Sequence, residues 1–435
     1  MKRKLVIVIS ALLIVSLTFF TFTACKKKVS KYVSFTVPLT DNGTLRVLQI
    51  TDTHFINSSV EDKNPAANYT YRDMWAKTAI AEVVSAADPD LIIVTGDSIF
   101  TLPLVKTITK TEDNYAAFQE FARYMDSFKI PWAFLFGNHD EEGSLNRTYR
   151  GDSVKVKKKL GEFLTSSEIK YCMYVNGPDD ITGVGNYIIN VVDKEGSTVM
   201  PMVLFDSGSY LKGVDENGEY EAQRNYEWVH DDQLDWYEAA INDISRIEKR
   251  KVESIVFQHI PFPEYGTVID SYIQALTDLG ENWRDTINEN WVFGTERTLN
   301  TSIGPLTYYG GVYNDGSVAS SFVGEYRNVY YDGGHEFERL LKVGSTKYVF
   351  CGHDHRNTFS FDYKGIRLSY GMSIDYSANG LISIVDNQTI YDETVQRGGT
   401  MIVLKENGSV SIEQIPFTRN LYRETVAALD LQNNG

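Results

Sequence analysis

The sequence predicts an α/β fold built around a parallel sheet. The first observation is Leu91-Ile92-Ile93-Val94, an unbroken apolar run of the kind buried on both faces of such a sheet. The second is alternation, with strand-like runs at Thr44–Thr51, Leu91–Val94 and Pro131–Phe136 separated by helical patterns at Tyr71–Ala87 and Asn114–Phe128. The third is how each strand ends: Asp52-Thr53-His54, Gly96-Asp97 and Gly137-Asn138-His139-Asp140 follow directly. Right-handed βαβ connections would bring these groups to one carboxyl edge, where ligands bind in open α/β sheets.

Residues 1–24 read as a targeting segment. Lys2-Arg3-Lys4 is a basic start, Leu5 to Phe22 is almost uncharged and apolar, and Thr23-Ala24 supplies small residues before Cys25. The run is also long enough to span a bilayer uncleaved. Residues 25–40 read as a tether, basic at Lys26-Lys27-Lys28 and Lys31 and suited to an anionic membrane surface.

From Thr44 the elements follow in order. Thr44–Thr51 alternates polar and apolar residues, as a half-buried strand does. Trp75, Ala79, Ile80, Val83 and Val84 have helical spacing, which stops before Pro89. Beyond the third strand the pattern loosens, with a helix at Val154–Leu164 and strands at Asn186–Val192 and Met200–Asp206. A helix over Asp231–Lys249 carries Leu234, Trp236, Tyr237, Ile241 and Ile244, and Glu253–Gln258 is a strand that ends at His259. Residues 264–334 have weak periodicity and many Tyr, Asn and Gly, so they read as an insertion or covering segment. A short helix at Glu336–Val343 precedes a strand, Lys347–Cys351, that ends at Gly352-His353-Asp354-His355. Asn357–Tyr363, Ile366–Tyr370, Thr400–Lys405 and Ser409–Pro416 read as antiparallel strands, and 417–435 as a helical tail. The domain therefore spans 41–416, with no internal repeat or Pro/Gly-rich linker to divide it.

Composition narrows the function. A net charge of -16 argues against nucleic acid, whose binding sites are basic. It does not exclude a small phosphorylated substrate, because a bound cation reverses the local field. Cys172 and Cys351, the cysteines beyond Cys25, are too few for a disulfide framework and read as two free buried thiols, although they could pair.

Five of the seven histidines lie in the strand-end motifs. Asp52, His54, Asp97, Asn138, His259, His353 and His355 form a donor set of carboxylate, imidazole and amide, suited to Zn, Mn or Fe. Seven donors exceed what one catalytic ion with an open position needs. They suit two divalent ions sharing a carboxylate, an arrangement that clamps both oxygens of an in-line displacement. Glycines before three of the motifs permit a sharp turn after each strand.

Asp-x-His, Gly-Asp, Gly-Asn-His-Asp, a lone His and Gly-His-x-His, in this order, resemble the calcineurin-like metallophosphoesterase superfamily. The resemblance covers roughly residues 44–416 and implies a four-layer αββα sandwich of two mixed β-sheets flanked by helices, the metallo-dependent phosphatase fold. It also implies one ion on Asp52, His54, Asp97 and His355, and another on Asp97, Asn138, His259 and His353. Hydroxide held on the ions would be the nucleophile. His139 would face the substrate and protonate the leaving oxygen, and Asp140 would orient His139. Asp206-Ser207-Gly208, Asp232–Tyr237, His259-Ile260-Pro261 and Gly365–Gly371 look like the purple-acid-phosphatase-related subgroup. Purple acid phosphatases themselves have a ligand tyrosine where Phe100 stands and lack the histidine present here as His54, so no purple chromophore is expected.

Phe22-Thr23-Ala24-Cys25 resembles a bacterial lipoprotein signal, with Phe22 where Leu is usual, and implies an extracytoplasmic protein held to the membrane by lipid on Cys25. The function expected is phosphate monoester hydrolysis, the alternatives being a phosphodiesterase or nucleotide pyrophosphatase, or a surface lipoprotein that only binds. Outside the motifs, Arg72, Arg356 and Arg367 read as phosphate clamps or as structural arginines. His335 reads as a lining residue or as part of a surface loop, and segment 300–332 as a cap or a covering loop.

Overall fold

Two mixed β-sheets lie face to face with helices outside both. The computed structural model describes residues 28–56, 69–100, 113–214, 220–289, 296–313, 335–378, 382–385, 388–391 and 396–433. The targeting segment and residues 314–334 lie outside that set.

One sheet has six strands, in the order Val410–Phe417, Arg397–Lys405, Thr44–Ile50, Leu91–Thr95, Trp132–Leu135 and Cys172–Met173. Its middle three expected strands are mutually parallel, as the βαβ reading requires. The other has nine, in the order Val33–Pro38, Tyr187–Val192, Thr198–Leu204, Ser254–Phe257, Thr346–Cys351, Ile366–Tyr370, Ser360–Tyr363, Gly304–Tyr308 and Arg297–Thr301.

Alternation along the nine-stranded sheet shows the layering. Met200, Met202, Leu204, Ile255, Phe257 and Phe350 join the core shared with the six-stranded sheet and the helices Tyr69–Ala87, Asn114–Ser127 and Ser153–Leu164. Val203, Val256, Val349 and Cys351 turn the opposite way, onto the helices Asp231–Glu248, Glu264–Asp278 and Glu336–Val343. Successive side chains on a strand face opposite sides, so one sheet fills both cores. The four-layer sandwich is the observed architecture.

Two readings of the chain are corrected. Residues 33–38, read as part of a tether, form a strand parallel to Tyr187–Val192, with Phe35 packed edge-on against Tyr187. Residues 264–289 and 296–308, read as part of an insertion, are integral to the fold. Tyr265, Val268, Ile269, Tyr272 and Leu276 bury one face of a helix, and Arg297–Thr301 with Gly304–Tyr308 extends the nine-stranded sheet. The described part of segment 300–332 is thus sheet edge rather than cap. Cys172 and Cys351 are both free. The tail is a helix, Leu421–Asn433, tied to the first helix where Trp75 Nε1 donates to Thr425 Oγ1 at 3.0 Å. Among the described residues, no helix is long and apolar enough to cross a membrane.

A buried ion cluster joins the two halves near the motif ends. Lys157 Nζ lies 2.8 Å from Asp206 Oδ1 and 3.9 Å from Glu141 Oε2, with its side chain 2% exposed. Burial opposes its charge, but Asp206 and Glu141 overcome this and hold the ammonium well above its ordinary pKa. Replacing the lysine would leave two buried carboxylates uncompensated, a loss on the order of 3–5 kcal/mol. Lys157→Met is therefore expected to lower the urea midpoint at unchanged slope; a midpoint equal to wild type would contradict this account.

Candidate dinuclear metal site

All five motifs meet at one end of the sandwich, because the strands that carry them are parallel within each sheet and the sheets stack. Asp52, His54, Asp97 and His355 place ligand atoms within 4.8 Å of one another, as do Asp97, His259 and His353. Asp97 belongs to both sets. Asn138 joins the second through Oδ1, 3.2 Å from His259 Nε2.

The backbone is bent to achieve this. Asp52, His54, Asp97 and His353 all have positive φ, at 52°, 48°, 51° and 75°. Non-glycine residues rarely adopt that region, and each such residue costs on the order of 1–3 kcal/mol. The glycines play a different part from the turn-making expected of all three. Only Gly96 has positive φ, at 84°. A Cβ on Gly137 would lie 2.2 Å from Asp97 Oδ1, and one on Gly352 would lie 2.1 Å from Thr51 Oγ1. They let motif loops touch.

The donor atoms face one another at close range. His54 Nε2 and His355 Nε2 are 3.1 Å apart, and His353 Nδ1 and His259 Nε2 are 3.3 Å apart. His259 Nδ1 is 2.8 Å from Thr95 O and His355 Nδ1 is 2.8 Å from Asp375 Oδ2, which leaves their Nε2 atoms directed inward. Asp97 Oδ1 accepts from His139 N at 2.8 Å, while the buried Oδ2 has no hydrogen-bond donor and lies 3.1 Å from His259 Nε2. Ring nitrogens and a shared carboxylate oxygen converging on two points fit divalent cations once the imidazoles give up their protons. The residues that would hold them are Asp52, His54, Asp97 and His355 in one set, and Asp97, Asn138, His259 and His353 in the other.

Electrostatics follow from burial. Burial works against the Asp97 carboxylate, but His259, His139 and His54 hold its pKa well below the usual range. Burial lowers His54 to about 4 and His353 to about 3. His259 goes the other way: burial pulls it down, but Asp97 carries it up to about 9.

The role expected of Asp140 is corrected. Its carboxylate accepts from Asp97 N, Ser98 N, Ser98 Oγ and Gly137 N at 2.5–3.0 Å, and makes no bond to His139. Burial and neighbouring Asp97 push it up to about 6, so at neutral pH it is a carboxylate tying the Gly137 loop to the Asp97 loop. Glu142 faces His139 instead, with Oε1 2.9 Å from Nδ1. Glu142 is two residues beyond the motif, in the turn before Gly143–Thr148, and the sequence reading missed it. Asp375, the partner of His355, was also missed, lying in irregular chain with no motif around it.

The remaining candidates fall outside the clusters. Arg72 donates to Ser377 O at 3.1 Å, and Arg367 lies 3.7 Å from the Tyr309 ring centroid, so both serve structure. Arg356 follows His355 and is half-buried. His335 precedes the helix Glu336–Val343 with its side chain 57% exposed. Phe100 packs edge-on against His54 and His139, at 5.4 and 4.9 Å between centroids, and offers no ligand atom.

Comparison with known proteins agrees with the geometry. The family profile described as calcineurin-like phosphoesterase matches residues 45–357. An Arabidopsis thaliana protein named "Probable inactive purple acid phosphatase 14" is 25% identical over 394 residues, covering 86% of this chain and 81% of its own. Phosphatase DCR2 of Saccharomyces cerevisiae is 26% identical over 326 residues, 74% of this chain and 45% of its own. A solved dimetal phosphatase from Danio rerio covers 86% of this chain and 99% of its own at 10% identity, with a TM-score of 0.40.

Cation binding needs unprotonated imidazole. With His259 held up to about 9 in the metal-free protein, uptake of metal at pH 7 must expel its proton. Calorimetric titration in buffers of different ionisation enthalpy should show at least about one proton released per protein, and affinity falling as pH is lowered. Buffer-independent heats would contradict the protonation assigned to His259.

Proposed function

This chain belongs to the calcineurin-like phosphoesterase family, and on that premise we propose that it hydrolyses phosphate monoesters at a centre of two divalent ions. The observation that carries the reading is the pair of donor clusters sharing Asp97, with His139 directly beside them. The ions, when bound, would activate water and neutralise phosphoryl charge.

The chain's own residues supply the proton chemistry. Burial would lower the pKa of His139, but Glu142 and Asp97 together raise it to about 9. Nδ1 is turned to Glu142, which leaves Nε2 on the side of Tyr210 and Asn138. A protonated imidazole in that position can donate to a departing alkoxide, the poor leaving group of a simple monoester. Asp140 keeps the loop that presents it in place.

The purple-acid-phosphatase name of one relative and the phosphatase name of another support monoesters over diesters. The word "inactive" in the first name favours a second reading, a fold kept for binding alone. Against it, every candidate ligand is present in this chain and reaches its cluster. We place the protein outside the cytoplasmic membrane, held by lipid on Cys25 and acting on small phosphorylated substrates. The support for this is the basic, apolar and small-residue order of the first 25 residues.

Metal-loaded protein should cleave p-nitrophenyl phosphate faster than bis(p-nitrophenyl) phosphate. Faster diester cleavage would assign it to phosphodiesterases, and two bound metals without turnover of any ester would assign it to binding. His139→Ala should keep its metals and lose about 100-fold or more in turnover of alkyl phosphates. Because the acid form of His139 is the active one, turnover falls as pH rises through its pKa. Glu142→Gln removes the charge that raises that pKa, so the alkaline limb should move to lower pH. An unmoved limb would remove Glu142 from the mechanism.

A further inference from the structure

We infer that Asp206-Ser207-Gly208-Ser209-Tyr210 is a brace for the second donor set, and that the Tyr210 hydroxyl positions Asn138 within it. The inference rests on the reading of Asn138 as a metal ligand.

The segment leaves the strand Thr198–Leu204 and contributes no ligand, yet it is fastened at each step. Asp206 takes the Lys157 ammonium and accepts from Val184 N at 2.8 Å. Ser207 Oγ accepts from Ile260 N at 2.9 Å, one residue beyond His259. Gly208 has a φ of 82°, and a Cβ there would lie 2.3 Å from Glu227 Cβ. Glu227 accepts from Ser209 N at 2.8 Å, so the turn is pressed against it. Ser209 Oγ then donates to Asn138 O at 3.2 Å, and Tyr210 OH accepts from Asn138 Nδ2 at 2.8 Å.

The last bond matters because of what an amide ligand requires. Asn138 is fully buried, and its Oδ1 faces the donor cluster, 3.2 Å from His259 Nε2. An amide whose oxygen holds a cation must turn its NH2 group away, and a buried NH2 needs an acceptor. Tyr210 provides it. The phenol is itself held, its ring 5.3 Å from that of Tyr226, which stands edge-on to His353 at 4.3 Å. Tyr210 OH is also 3.4 Å from His139 Nε2, a longer and weaker contact than its 2.8 Å bond with Asn138.

Tyr210→Phe keeps the ring and removes the acceptor. Titrating the full chain with Mn2+ in a calorimeter should give two binding steps for wild type. The variant should weaken one step by about tenfold to a hundredfold and leave the other within about twofold, as loss of a ligand's outer partner does. In an Asn138→Ala background the same substitution should have no further effect, because a residue acting through Asn138 has nothing left to act on. Wild-type affinities in both steps, or a weakening that persists without Asn138, would overturn the assignment. Wild-type protein that takes up no Mn2+ would instead sink the metal reading beneath it, and the brace with it. Should Tyr210→Phe fold poorly, Ser209→Ala tests the neighbouring bond, and an unchanged second step there would overturn the brace.

Discussion

Charge taken out of water governs this molecule. Asp52, Asp97, Asp140 and Asp375 are each at most 1% exposed, and five imidazoles stand among them. A buried carboxylate without partners is costly by several kcal/mol. Each of these therefore has its own supply of donors. Asp140 takes backbone N–H groups from two motif loops, and Asp375 takes Ser377 N, Ala378 N and His355. Asp52 takes His353 N. Asp97 alone keeps an oxygen without a donor. The strand ends, the glycine contacts and the Lys157 cluster all serve to hold that arrangement together.

Much of this was legible in the residues. The three parallel strands of the smaller sheet announced themselves by apolar continuity and by the helical spacing between them. The donor set was legible because the candidate ligands come as short motifs, and parallel strands deliver consecutive motifs to one edge. What stayed hidden depends on tertiary partners. Val33, Phe35 and Val37 alternate as a strand should, but beside a basic stretch they read as tether until Tyr187–Val192 supplied the pairing. Tyr265, Val268, Ile269, Tyr272 and Leu276 have helical spacing too. Two of the five are tyrosines, and the composition of the whole 264–334 segment masked them.

The same holds at finer scale within the site. His139 was assigned its partner from the adjacent position in the motif, yet the loop turns so that Asp140 points back at amides and Glu142 comes round to the ring. Adjacent residues on a tight turn point apart, and sequence distance says little about which carboxylate an imidazole meets. Asp375 reaches His355 from twenty residues away, from irregular chain beyond the paired strands Ser360–Tyr363 and Ile366–Tyr370. No local pattern marks such a residue. Geometry has to find it.

The left-handed backbone at Asp52, His54, Asp97 and His353 has an evolutionary consequence. Folding alone asks for none of these side chains there, since glycine, or often asparagine, would occupy the same φ with less strain. Changes toward those residues would relieve backbone strain and thin out a crowd of buried charge, so drift unopposed by selection would erode these positions early. A site kept only for its fold would be expected to lose these four side chains first, so their presence in a relative marks where the candidate ligand set is intact.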